Sequence, residues 1–80
     1  MAYSNRGLDY YDNKGQYDKA IEDYNRAIAL DPNYASAYFN RGLAYEMLGN
    51  KSMAISDYRK ACDLGYEVGC ENLQRVLKKK

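Results

Sequence analysis

Eighty residues carrying twelve basic and eleven acidic side chains have a net charge of +1, which fits a single domain and argues against a nucleic-acid binder, whose affinity needs a basic surface. With no His and only two Cys, His-dependent catalytic triads and four-ligand zinc sites within one chain are excluded. Leu, Ile, Val and Phe together number only thirteen, but ten Tyr and nine Ala supply the missing apolar surface, and the balanced charge separates this chain from disordered sequences.

Five helices are predicted. The first carries Tyr3, Gly7 and Tyr10 on one stripe, and Gly15 is expected in the turn that follows, where a positive φ ends a helix at low cost. The second places Ala20, Ile21, Tyr24, Ala27 and Ile28 at i, i+1, i+4, i+7 and i+8, one side of a 3.6-residue period. Asp31 and Pro32 are expected to stop it and to start the third helix, as a cap and a first-turn residue. That third helix repeats the first stripe with Tyr38, Gly42 and Tyr45, and Gly49 punctuates the turn after it. The fourth repeats the second with Ala54, Ile55, Tyr58, Ala61 and Cys62. Gly65 then stands where Asp31 stood, and a fifth helix from about Glu67 to Lys78 closes the chain, with Val76 and Leu77 inward and Lys78 to Lys80 in water.

The stripes recur because the sequence repeats. Tyr3 to Tyr10 laid over Tyr38 to Tyr45 matches at six of eight positions, and Gly15 to Leu30 laid over Gly49 to Leu64 matches at seven of sixteen. The offsets, 35 and 34, place one extra residue in the first copy between Tyr10 and Gly15. Repetition at this period means stacked helix-turn-helix units. Small residues explain how such helices pair, since close axes need small side chains; Gly42 with Ala54, and Gly7 with Ala20, are the expected notches.

These residues resemble the tetratricopeptide repeat: Tyr-x-Asn-Arg-Gly-x-x-Tyr, then Gly-x-Tyr-x-x-Ala-Ile-x-x-Tyr-x-x-Ala-Ile-x-Leu-Asp-Pro-Asn in the first copy. Lys51 departs from the pattern where Tyr17 predicts an aromatic. The resemblance implies an all-α, right-handed α-solenoid of helix-turn-helix repeats with five helices in one domain over residues 1–80: repeat one at 2–34, repeat two at 35–65 and a capping helix at 66–80. The run from Lys60 to Cys70 is similar to the linker of cysteine-bridged Sel-like repeats, in which a disulfide ties one helix to the next.

Two sites stand out. Cys62 lies near the end of the fourth helix and Cys70 near the start of the fifth, and antiparallel packing can bring them within bonding distance; two buried, unlinked thiols are the alternative. The second is on the third helix, where Phe39, Leu43 and Met47 fall together on the side away from the Tyr38, Gly42 and Tyr45 stripe, with Ser36 and Asn40 beside them. In the resembled family this face lines a concave groove for peptides. Carried over by position, it implies partner contacts at Asn5, Leu8, Phe39, Asn40, Leu43 and Met47, with Leu73 and Leu77 continuing the groove. Packing between neighbouring repeats is the competing use of Phe39 and Leu43. Ser4 and Leu8 around Asn5, with no basic pair at the matching level of the fifth helix, fit poorly to the family's grip on a terminal carboxylate, so apolar recognition is expected.

The remaining signals are weak. Asp12, Asp18 and Asp23 have no base or nucleophile beside them in the pattern and read as solvated surface, so no catalysis, metal or cofactor is expected. Arg75 with the terminal lysines reads as a solubilising basic end. No apolar run reaches the length of a membrane span and no apolar leader follows Met1, so a soluble chain without membrane contact is expected. The expected partner is a protein or peptide. Two repeats and a half leave apolar surface at the open ends, which makes a second copy of the chain, as a homodimer or a helix-swapped oligomer, the alternative partner.

Overall fold

The computed structural model describes residues 14–78. Over these the chain forms four helices, α1 (Lys14–Leu30), α2 (Ala35–Met47), α3 (Lys51–Asp63) and α4 (Glu67–Lys78), each packed on the next in chain order. No strand occurs among the described residues. The all-helical expectation therefore holds for the described part; the first of the five predicted helices, together with Asn5 and Leu8, lies outside it.

The apolar stripes become two small cores. Tyr17 and Ile21 of α1 bury against Ala44 of α2, with Tyr45 and Leu48 at the margin. Ala54 and Tyr58 of α3 bury with Val76 of α4, flanked by Phe39, Leu43, Tyr45, Ile55 and Leu73. Helix α2 is thus shared. Its Ala37 and Ala44 are buried, Gly42 is buried toward α3, and the Phe39 side borders the second core.

The junctions show how the chain turns. Gly49 (φ 84°) and Gly65 (φ 95°) both adopt the left-handed conformation that only glycine enters without strain, ending α2 and α3. Asn50 then caps α3, its side chain accepting the Met53 N–H at 3.3 Å. Gly15 does not punctuate a turn; it lies within α1 with nothing near its Cα to demand glycine. Asp31 and Pro32 do not start the next helix either. The Asp31 carboxylate accepts the Asn33 N–H at 3.1 Å and its carbonyl accepts the Tyr34 N–H at 3.0 Å, so a compact turn uses these residues and α2 begins at Ala35. The Tyr38 hydroxyl donates to the Pro32 carbonyl at 3.1 Å, fastening that turn to α2.

The glycine notch is real, but its occupant is not Ala54. A Cβ at Gly42 would lie 2.8 and 2.9 Å from the Tyr58 ring and 3.2 Å from the Asp57 Cβ, so the missing side chain makes room for an aromatic face. A second notch went unpredicted: a Cβ at Gly69 would stand 2.8 Å from that of Ala61. Leu77 is a further correction, since it is 52% exposed while Val76 alone is buried near it. The two sit about 100° apart on the helix, and only one of them faces α3.

Candidate functional site: the outer face of α2

Phe39, Leu43 and Met47 share one side of α2, spaced four residues apart. Phe39 is half-buried, its ring 5.6 Å from that of Tyr58 and 5.3 Å from that of Tyr66, tilted in both pairs. Leu43 is also half-buried against the Ala54, Tyr58 and Val76 core. Met47 is 55% exposed. Asn40 is half-buried between Phe39 and Leu43 along the chain. The first two apolar residues of this face lean on the core and the last is open to solvent.

Across from it, α4 supplies side chains that the sequence did not suggest. Arg75 donates to both carboxylate oxygens of Glu46, at 3.0 Å each, and Glu46 also accepts the Tyr58 hydroxyl at 2.7 Å. Arg75 is thus no part of a free basic tail; its charge is answered by a carboxylate 29 residues earlier. The Glu46 hydrogen bond holds the Arg75 guanidinium above its usual range. Burial, then Glu46, pushes the Tyr58 phenol above its usual value. Leu73 is half-buried in the second core, while Leu77 is exposed.

A second polar cluster braces α2 from behind. Arg41 is bidentate on Asp57, with Nε to Oδ2 at 2.8 Å and Nη2 to Oδ1 at 2.6 Å, and its remaining nitrogen donates to Asn25 of α1 at 2.8 Å. Asp57 is 2% exposed, and a carboxylate this deep requires such a partner. The Asp57 hydrogen bond raises the Arg41 guanidinium further. Sequence reasoning passed over both residues, although Arg41 repeats Arg6 and Asp57 repeats Asp23 in the two aligned copies.

Cys62 and Cys70 are joined as a disulfide, with Cα atoms 4.7 Å apart, tying the end of α3 to the start of α4. Among the described residues no group of three or more His, Cys, Asp or Glu side chains is placed to hold a metal ion. No described helix is long and apolar enough to cross a membrane.

Comparison with known proteins agrees with this architecture. The TPR repeat family model matches residues 7–49 and the Tetratricopeptide repeat model residues 35–64. An uncharacterized protein of Methanocaldococcus jannaschii is 51% identical over 37 residues, 46% of this chain and 43% of that one. Tetratricopeptide repeat protein 28 of Homo sapiens is 39% identical over 58 residues, 72% of this chain and 2% of its own length. Small glutamine-rich tetratricopeptide repeat-containing protein 2 of Saccharomyces cerevisiae is 32% identical over 73 residues, 91% of this chain and 21% of its own. The chain thus spans less than half the length of each relative.

Proposed function

The chain belongs to the tetratricopeptide repeat family of protein-interaction modules, and we propose that it holds a segment of another protein along the outer face of α2 by apolar contact, without catalysis. The observation that carries this reading is Met47: a large apolar side chain, 55% exposed, that continues the line of Phe39 and Leu43 beyond the part packed on the second core. Asn40 lies beside them to hydrogen-bond a ligand backbone. Asn5 and Leu8 would extend the same surface by their match to Asn40 and Leu43 in the repeat. Arg75 is already paired with Glu46, so it adds little attraction for a terminal carboxylate.

A second copy of the chain is the competing occupant, because the exposed Met47 suits either. One set of measurements separates the two. A displayed peptide library should enrich on wild type at a concentration where sedimentation shows a monomer, and Met47→Asp should abolish enrichment while leaving the circular dichroism unchanged. If no peptide enriches and the chain instead sediments as a dimer that Met47→Asp disperses, the surface joins two copies. Enrichment that survives Met47→Asp would place the ligand elsewhere and end the groove reading.

A further inference from the structure

We propose that the Cys62–Cys70 bridge is a redox latch on α4: a dithiol reductant opens it, α4 leaves α3, and the apolar seat made by Ala54, Tyr58 and Phe39 is uncovered. Helix α4 is short, at 12 residues, and its buried members are Gly69 and Val76 alone. A free helix of that length is marginal in water, so it depends on what fastens it. Three ties do so. Val76 and the half-buried Leu73 pack in the second core, the Arg75 pair with Glu46 lies partly in solvent, and the disulfide closes a loop with a sequence separation of 8. The disulfide sits where the two helices approach closely, with Gly69 against Ala61 and the Cys62 amide.

The chain-entropy model makes that closure worth on the order of 70-fold in the equilibrium between docked and undocked α4. Neither of the other ties is as local to the α3–α4 turn. Both cysteines are half-buried, which leaves the bridge within reach of a small reductant. In the exchange a dithiol thiolate attacks one sulfur and the S–S bond breaks to give a mixed disulfide. The reductant's second thiolate then resolves it. Two electrons pass to the protein, Cys62 and Cys70 gain two protons as thiols, and the reductant leaves as its own disulfide. Undocking would also withdraw Arg75 from Glu46. The bond that is cut joins only α3 and α4, and the latch stands whether or not the α2 face takes a peptide.

The test uses the full chain, air-oxidised or treated with dithiothreitol, and reads intact mass together with amide hydrogen exchange by helix. The oxidised protein should be lighter by two hydrogens, and reduction should lower protection in Glu67–Lys78 on the order of 70-fold while Ala35–Met47 changes by less than tenfold. Cys70→Ser should show the reduced pattern and ignore dithiothreitol. Should that variant not fold, reduced wild type alone still decides. An air-oxidised chain that keeps both hydrogens would overturn the latch, as would α4 protection indifferent to reduction or an equal loss in every helix.

Discussion

At the scale of single residues, Arg41 is where three helices meet. It lies on α2, clamps Asp57 of α3 with two hydrogen bonds and reaches Asn25 of α1 with a third. Removing one member of a buried pair strands the other, and that penalty exceeds the value of the pair itself. Asp57→Ala should therefore lower stability by about 3 kcal/mol in urea unfolding. A loss under about 0.5 kcal/mol would mean that Arg41 finds water or another acceptor at no cost. Tyr58 gives the pH signature. Burial and Glu46 raise its folded pKa above the unfolded phenol value near 10, so the folded chain keeps a proton that the unfolded chain releases. The stabilisation is whole below pH 10 and declines above it. Phenolate absorbance should include a component that ionises only on unfolding, and Tyr58→Phe should remove it together with the alkaline fall in stability that this group causes.

At the scale of elements, the match between α2 and α3 turns on the missing side chain at Gly42. Alanine there would gain about 1 kcal/mol of helix propensity. The added methyl, however, would stand 2.8 Å from a Tyr58 ring that has no exposed surface and whose hydroxyl is held by Glu46, so the ring has nowhere to swing. Overpacking of about 1–3 kcal/mol then outweighs the propensity, and Gly42→Ala should be net destabilising by about 1 kcal/mol in urea unfolding. A variant as stable as the parent would show that α2 and α3 slide apart freely. The glycine notch was legible in the sequence because small residues recur at one register position in both copies; its occupant was not, since Ala54 and Tyr58 lie one turn apart on the same stripe. The limits of α4 were equally legible, as a Gly65 stop and a basic end bracket it. What escaped was the charge network. Arg41, Asp57, Glu46 and Arg75 look like solvated surface when read singly, and their pairing spans 16 and 29 residues, beyond any local pattern.

At the scale of the molecule, the packing is strung out in chain order: α1 on α2, α2 on α3, α3 on α4. Among the described residues the two cores share only Tyr45 at their margins, and Ile21 and Val76 have no common buried neighbour. Such an arrangement behaves as a sum of units and interfaces. Ile21→Val should cost about 1 kcal/mol and Val76→Ala about 2 kcal/mol, each through lost methyl groups and the space they leave. Because substitutions without shared partners act independently, the double variant should lose their sum to within about 0.5 kcal/mol, measured from urea transitions of equal slope. A coupling energy well above that figure would mean that strain passes through Tyr45 from one core to the other. Helix α2, which supplies residues to both cores, would then respond to changes at either end of the stack.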